Sequence, residues 1–163
     1  MFSHVLADIG VTKLVRKIFH RVVLAPRITR FFDWWAPISS LGDRGEREAE
    51  RYLLKQGLVI VHRNYSDRFG ELDLVAVDQN TIVFVEVKTR ATDSAGLPIE
   101  AVDSVKQRQI CETSKRYLKW HGLTECPYRF DVISILWPDN QVRPLIQHYP
   151  SAFSSDSKFQ IFD

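Results

Sequence analysis

Hydrophobic and polar residues alternate with a period of two in two neighbouring segments, residues 71–77 and 82–88. Both segments are rich in β-branched residues, and this combination predicts two β-strands. The short polar stretch between them predicts a hairpin whose two loop residues are Gln79 and Asn80. In this register one face of the hairpin is apolar, with Leu72, Leu74 and Ala76 on the first strand and Val83, Val85 and Val87 on the second.

The opposite face of this hairpin carries charged residues. Asp73 falls opposite Glu86, and Glu71 falls opposite Lys88. All four side chains share one face because alternate residues of a strand do so. Facing Cβ atoms lie about 5 Å apart, and two carboxylates at that distance repel each other unless a proton or a cation lies between them. The pattern therefore predicts a site for a hard divalent ion such as Mg²⁺, which prefers oxygen ligands.

The other segments predict a mixed β-sheet covered by helices. Asp43 is expected to cap a helix over residues 44–56, with Glu46 as the capping-box partner and Gly57 as the stop. The remaining elements, in chain order, are a strand over 58–62, a turn over 64–69, a long helix over 98–119, a strand over 128–136 and a last strand over 142–147. The expected organisation is an α/β domain over residues 41–153, an extension over 1–40 and a polar tail over 154–163.

Residues 1–40 differ from the rest of the chain in charge. They contain six basic and two acidic residues, a net charge of +4, whereas the remainder carries −2. Residues 5–25 have apolar positions at helical spacing with basic residues on the other side, which predicts an amphipathic helix. A basic arm of this kind is typical of an interaction tail. Contact of residues 5–35 with a membrane surface or with a partner protein remains an alternative, because Phe31, Phe32, Trp34 and Trp35 also need a surface to pack on.

The cysteines, the histidines and the charge of the body bear on the cellular location and on the possible ligands. Cys111 and Cys126 lack the spacing of a metal site, and we expect them to be reduced thiols in a cytoplasmic protein. The five histidines are scattered and form no zinc signature. The mildly acidic body by itself does not indicate nucleic-acid binding.

Several motifs together resemble the YraN-like family of uncharacterised bacterial proteins. The two main matches are Gly70-Glu71-Leu72-Asp73-Leu74 and Val83-Phe84-Val85-Glu86-Val87-Lys88-Thr89-Arg90. Shorter matches are Gly45-Glu46 with Ala49, Arg63-Asn64, Glu100-Ala101-Val102 with Lys106, Arg129-Phe130-Asp131-Val132 and the segment 148–153. This resemblance covers residues 41–153 and implies a restriction-endonuclease-like fold, similar to archaeal Holliday-junction resolvases, with the superfamily pattern PD-(D/E)xK.

The resemblance implies roles for the charged residues. Asp73 and Glu86 match the metal-binding carboxylates, with the Val87 carbonyl and Glu46 as further metal ligands, and Lys88 matches the catalytic lysine. Glu46 has a second interpretation, in which it only caps its helix. Lys106 and Arg90 are expected to contact phosphates. Arg129 and Asp131 are expected to be structural.

The implied function is a divalent-metal-dependent endonuclease that uses Mg²⁺ or Mn²⁺. DNA is favoured over RNA as its substrate, and branched or structured DNA is suggested by the resolvase resemblance. Two alternatives remain at this point: a non-catalytic nucleic-acid-binding module of the same fold, and an interaction protein that uses its N-terminal helix. A homodimer is also left open.

Overall fold

The computed structural model describes residues 40–91, 102–138 and 142–155. They form one five-stranded sheet with strand order β1-β2-β3-β4-β5. The elements in chain order are α1 (Leu41–Lys55), β1 (Val59–Asp67), β2 (Gly70–Asp78), β3 (Thr81–Arg90), α2 (Ser104–Trp120), β4 (Tyr128–Leu136) and β5 (Leu145–Phe153). Only β3 and β4 pair in parallel, and the other three pairs are antiparallel. The expected mixed sheet flanked by helices is confirmed.

Each face of the sheet is covered by one helix. Ala49 and Leu53 of α1 pack on Leu74, Ala76, Val83 and Val85. Ile110 and Tyr117 of α2 pack on the other face, against Val75, Val77, Ile82 and Phe84. The central strands are apolar on both faces because both faces are buried, and a polar residue that remains there needs a specific partner.

The β2–β3 hairpin has the register that its loop predicts. Asp78 faces Thr81 and Leu74 faces Val85, so Gln79 and Asn80 are the loop residues. Gln79 has a φ of 51°, the left-handed conformation that a tight two-residue hairpin turn requires. The backbone pairing ends at Leu74 and Val85, one step before Asp73 and Glu86.

The uniform apolar face expected for β2 is wrong at Leu72. Leu72 packs with Val75 and Val77 in the core beneath α2, whereas Leu74 packs in the core beneath α1. Strict alternation would place Leu72 and Leu74 on one face. The alternation therefore breaks at Asp73. Strand β1 is irregular at the position that faces Asp73. Asn64 lies there, between the partners of Leu72 and Leu74, and has a φ of 47°.

Helix α1 begins earlier than the sequence pattern predicts. Ser40 is the cap: its hydroxyl accepts a hydrogen bond from the Asp43 backbone N–H, and the Asp43 carboxylate accepts one from the Ser40 backbone N–H, each at 3.0 Å. Asp43 is thus the third helical residue rather than the cap. Gly57 is confirmed as the stop of the helix: it follows the C-cap residue Gln56 and has a φ of 89°.

Three other predicted boundaries are corrected. Helix α2 begins at Ser104, because the Asp103 carboxylate accepts a hydrogen bond from the Lys106 N–H at 2.8 Å and caps it there. Strand β1 continues to Asp67 through most of the expected turn, because its residues pair with β2 as far as Gly70. Strand β5 is Leu145–Phe153, later than predicted, and pairs with β4.

Some predictions lie outside the described residues: the helix over 5–25, the aromatic segment 31–35, most of the loop before α2 and most of the tail. Within the described residues, no helix combines the length and the hydrophobicity that crossing a membrane requires.

A carboxylate and lysine cluster where strand β2 bends

Asp73 lies where the backbone pairing of β2 and β3 stops. Here a side chain replaces the backbone pairing between the two strands: Asp73 Oδ2 accepts a hydrogen bond from the Val87 N–H at 2.7 Å. This bond ties the bend of β2 to the second half of β3. The sequence placed Asp73 beside Glu86 and Val87, and the structure brings these residues together.

Glu86 is the most deeply buried acid of the cluster, with 3% of its surface exposed. Its Oε1 atom lies 2.7 Å from Lys88 Nζ and 3.3 Å from Lys106 Nζ. Its Oε2 atom is buried and has no hydrogen-bond partner among the described residues. Buried polar atoms are seldom left without a partner, because the lost hydration is costly. Glu86 therefore contributes to the cluster one buried oxygen, Oε2, that lacks a hydrogen-bond donor among the described residues.

The electrostatics of the cluster favour a proton or a cation. Burial raises the pKa of Asp73 to about 7, and the nearby Glu86 carboxylate adds to this effect. The Val87 hydrogen bond acts in the opposite direction. At neutral pH the fold thus holds a carboxylate whose charge is poorly compensated by the protein alone.

Glu46 approaches the same cluster from α1, on the other face of the sheet from Lys106. Burial raises the pKa of Glu46, a hydrogen bond with the Asn64 side chain opposes the shift, and Glu71 and Glu86 raise it further. Glu46 is not needed as a cap, because Ser40 and Asp43 form the capping box by themselves. The interpretation of Glu46 as only a capping residue is therefore wrong.

Close packing of α1 on β3 allows this approach. A Cβ atom at Gly45 would overlap the side chain of Thr89, so the helix can lie this near the strand only with glycine there. Gly45 directly precedes Glu46, and Thr89 directly follows Lys88. The Gly45–Thr89 contact thus sets the distance between α1, which carries Glu46, and β3, which carries Glu86.

The basic residues are arranged differently from the sequence expectation. Lys88 was expected to face Glu71, but its ion pair is with Glu86. Glu71 is instead 3.9 Å from Lys106 Nζ. The register of the hairpin no longer holds beyond Leu74, which explains the exchange of partners. Arg90 is the last residue of β3, two residues beyond Lys88, and its carbonyl accepts a hydrogen bond from the Trp137 N–H at 2.7 Å.

The sequence analysis assigned no role to Asn64, which lies opposite the bend and hydrogen-bonds Glu46. Its signal is its residue type: asparagine is among the few non-glycine residues that tolerate a positive φ. Glu50 was also missed. It is buried on α1 and forms an ion pair with Arg63 through both of its carboxylate oxygens.

A second acidic residue, Asp131, is buried in a cluster of its own. Its oxygens accept hydrogen bonds from Arg129 Nε at 3.0 Å and from the Ser151 N–H at 2.9 Å, and His148 Nε2 lies 2.9 Å away. Arg129 also binds Asp78 at the end of β2. Every carboxylate oxygen of Asp131 is satisfied, in contrast to Glu86, which supports the structural interpretation of Arg129 and Asp131.

The donor set of the first cluster suits a hard divalent ion. Within the part of the chain that the structure describes, no three His, Cys, Asp or Glu side chains converge closely enough to hold an ion by themselves. Asp73 and Glu86 are the two adjacent carboxylates, and Mg²⁺ is commonly bound through one or two carboxylates with water completing the shell. The unpaired Glu86 Oε2 fits such an ion.

The fold and this cluster define the class: a mixed α/β domain with a buried carboxylate and lysine centre at a strand bend, flanked by a glutamate from the helix on the opposite face. The chain belongs to the uncharacterised protein family UPF0102, whose model matches residues 45–135. UPF0102 is the YraN family, so the match confirms the family that the motifs indicated.

Relatives from distant bacteria cover most of the same region. A UPF0102 protein of Trichlorobacter lovleyi is 47% identical over 115 residues, which cover 70% of this chain and 90% of the relative. One from Rhodopirellula baltica is 42% identical over 120 residues, 72% of each chain. One from Geobacter metallireducens is 46% identical over 114 residues, covering 70% and 92%.

Proposed function

We propose that this protein is a divalent-metal-dependent nuclease that hydrolyses phosphodiester bonds, with DNA as its first candidate substrate. The observation that carries the proposal is Glu86 Oε2, a buried carboxylate oxygen without a partner among the described residues, beside an Asp73 whose pKa is raised to about 7. A structural ion pair would satisfy both oxygens, as the Asp131 cluster does. The Glu86 arrangement leaves one oxygen for a ligand.

Asp73 and Glu86 would hold Mg²⁺ or Mn²⁺, with the Val87 carbonyl as a further oxygen donor. Glu46 would act through a water molecule, because no three acidic side chains of the described residues converge closely enough to bind one ion. Such an ion supplies an activated water and neutralises charge on the phosphate. The protein's own contribution is to fix these oxygens: the Val87 N–H orients the Asp73 carboxylate, and the Gly45–Thr89 contact fixes the start of α1.

Lys88 is the proposed catalytic residue. Its ammonium lies 2.7 Å from Glu86 Oε1, so it reaches the same region as the two carboxylates. There it would orient the attacking water and stabilise the charge that develops on the phosphate oxygens. Lys106 Nζ lies 3.3 Å from the same oxygen, Glu86 Oε1, and Lys106 and Arg90 are proposed to contact neighbouring phosphates.

A cleavage screen tests this proposal directly. The full chain is incubated with Mg²⁺, Mn²⁺ or EDTA and with single-stranded, duplex, flap and four-way DNA, and with the matching RNAs. We expect metal-dependent cleavage of at least one DNA that Lys88→Ala and Asp73→Asn both abolish or strongly reduce. If the wild-type protein cuts none of them with either metal, the nuclease proposal is overturned.

One observation favours a second candidate, a nucleic-acid-binding module without catalysis. Lys106 and Lys88 both neutralise Glu86 Oε1, as they would in a domain that has replaced its ion by ammonium groups. Calorimetry separates the two candidates, because a module of this kind would bind DNA but would show no Mn²⁺ binding that depends on Asp73.

A further inference from the structure

Phe69 is an exposed aromatic residue at the turn between β1 and β2, with 48% of its surface exposed. Two guanidinium groups lie over its ring: Arg116 at 3.8 Å from the ring centroid and Arg68 at 4.7 Å. Exposed rings flanked by arginine are the combination that stacks nucleobases while the cations attract the sugar–phosphate chain.

The position of this aromatic platform is fixed by its surroundings. Asp67 accepts hydrogen bonds from the N–H groups of Phe69 and Gly70, at 2.8 and 3.1 Å, and so shapes the turn. Asp67 also binds Arg116 Nε of α2 at 2.7 Å. A Cβ atom at Gly70 would lie 2.9 Å from Thr113 Oγ1, so glycine allows the turn to pack on the helix. The ring is therefore held against α2 in a defined place.

One side of α2 runs from this platform to the carboxylate and lysine cluster, with the buried Thr113 between the partly exposed Lys106 and Arg116. On α2, Lys106, Thr113 and Arg116 are spaced by seven and three residues, which places them along one side of the helix. Lys106 contacts Glu86 and Glu71, Thr113 adjoins Gly70, and Arg116 contacts Phe69. Phe69 directly precedes β2 and lies four residues before Asp73, a span of at most about 13 Å at the rise of a β-strand. Stacked nucleotides at about 3.4 Å each would cover that span with about four units.

From this placement we infer that an unpaired base of the substrate stacks on the Phe69 ring in place of Arg68, the more distant of the two guanidinium groups, a few nucleotides from the phosphate held at Lys88 and Lys106. This inference rests on the proposed function and deepens it. A base inside a continuous duplex has both faces covered by its neighbours and cannot stack on a protein ring without leaving the stack. The substrate class that fits is therefore nucleic acid with single-stranded character next to the cut, such as a single strand, a flap or a branch point, rather than an unbroken duplex.

The experiment compares binding of two DNAs by fluorescence anisotropy in EDTA, which prevents cleavage. One is a labelled single strand, and the other is a duplex of the same sequence. The variants are Phe69→Ala, Phe69→Tyr and, as a control, Leu145→Ala, which removes an exposed apolar side chain on the edge strand β5. Circular dichroism of each variant checks that the fold is retained.

We expect Phe69→Ala to weaken single-strand binding by about 5- to 150-fold, the range measured when one base loses its aromatic platform. Duplex binding should change less than twofold, and Phe69→Tyr should retain single-strand affinity because a tyrosine ring also stacks. Leu145→Ala should leave both affinities unchanged.

The inference is overturned if Phe69→Ala weakens both DNAs equally, if it weakens neither, or if Phe69→Tyr behaves like Phe69→Ala. In each of these cases the wild-type protein still binds DNA, so the proposed nuclease survives. If the wild-type protein binds no DNA of either form, the proposed function fails first and the inference falls with it.

Discussion

Two buried acids, Glu86 and Asp131, differ in how completely the fold satisfies their carboxylate oxygens. Both lie in the interior of the sheet, with 3% and 1% of their surfaces exposed. Asp131 is surrounded by donors to both oxygens, whereas Glu86 has donors to only one. A buried carboxylate oxygen without a hydrogen-bond donor lowers stability, and a fold can retain such an oxygen where a ligand or a reaction requires it.

The first prediction concerns metal binding at Asp73. Calorimetry with Mn²⁺ at pH 7.5 should detect binding to the wild-type protein and none to Asp73→Asn, because the amide removes an anionic ligand. Glu112→Gln is the control, since Glu112 is exposed on α2 and pairs with Lys115 away from the cluster. Equal Mn²⁺ binding by the wild-type protein and Asp73→Asn would reject the site.

The second prediction is a pH dependence of stability in the metal-free protein. The pKa of Asp73 is about 7 in the folded state and near the ordinary aspartate value of 3.8 in the unfolded state. Between these values the folded state binds the proton more tightly, so the free energy of unfolding falls as the pH rises from about 4 to 7. Asp73→Asn should lack this component and unfold at a higher urea concentration than the wild-type protein at pH 8 in EDTA.

Urea titrations at pH 4, 5.5, 7 and 8 measure this effect as the difference between the two proteins. Saturating Mn²⁺ should reduce the difference at pH 8, because a bound cation stabilises the ionised Asp73. Parallel curves for the two proteins at all four pH values would show that Asp73 keeps its ordinary pKa.

The third prediction separates catalysis from binding at Lys88. Lys88→Ala should lower the single-turnover cleavage rate by about a hundredfold or more, on the scale of removing one group that stabilises transition-state charge. DNA affinity should fall much less, since other phosphate contacts remain. Lys115→Ala is the matched control, an exposed lysine paired with Glu112 on α2. A Lys88→Ala protein that cuts as fast as wild type would remove Lys88 from the catalytic site.

At the scale of elements, the cluster depends on how closely α1 approaches β3. The helix carries two glycines near its start, and they differ in their surroundings. A Cβ atom at Gly45 would overlap Thr89, whereas one at Gly42 would lie 3.5 Å from Ser40 Oγ, an ordinary contact. An alanine at Gly45 would therefore change both the helix propensity and the packing of α1 on β3. An alanine at Gly42 would change the helix propensity alone.

The fourth prediction uses this pair. Gly45→Ala should destabilise the protein by about 1–3 kcal/mol, the usual cost of overpacking, because Thr89 and the helix must move apart. Gly42→Ala should be neutral or stabilising by up to about 1 kcal/mol, since alanine is the better helix former. Urea unfolding measures both. Gly45→Ala should also weaken Mn²⁺ binding, and unchanged stability and Mn²⁺ affinity would show that the close approach is unimportant.

At the scale of the whole molecule, the chain combines the described domain, which contains the carboxylate and lysine cluster, with the basic segment 1–40. The fifth prediction is that removing residues 1–38, which keeps the Ser40 cap of α1, weakens DNA binding and flattens its salt dependence. The reason is that the net +4 arm would release counterions from phosphates on binding.

Binding is measured at several salt concentrations with the full chain and the truncated chain. An unchanged slope of affinity against salt would instead favour the alternative in which residues 5–35 contact a membrane surface. Flotation of both proteins with vesicles of mixed anionic and neutral lipids would then show the full chain, and not the truncated chain, in the vesicle fraction.

Local sequence patterns were sufficient for most of the domain architecture. The Gln79-Asn80 loop and the flanking alternation predicted the register of the hairpin because a two-residue loop allows one pairing of its strands. Boundaries set by side-chain caps were predicted less well. Ser40 starts α1 through two reciprocal hydrogen bonds with Asp43, and Asp103 starts α2 through one. Asp43 is itself a good capping residue, so the local sequence did not show which of the two would be the cap.

The sequence by itself determined that Asp73, Glu86 and Lys88 belong to one hairpin, since a strand's period of two and a short loop bring them to one end. Only the tertiary structure decided which charges meet there. Lys106 reaches Glu86 from α2, and Glu46 reaches the cluster from α1 through the Gly45–Thr89 contact. The bend at Asp73 likewise depends on Asn64 of the neighbouring strand. These contacts join residues far apart in the chain, and their geometry is set by packing across the sheet, which no local pattern encodes.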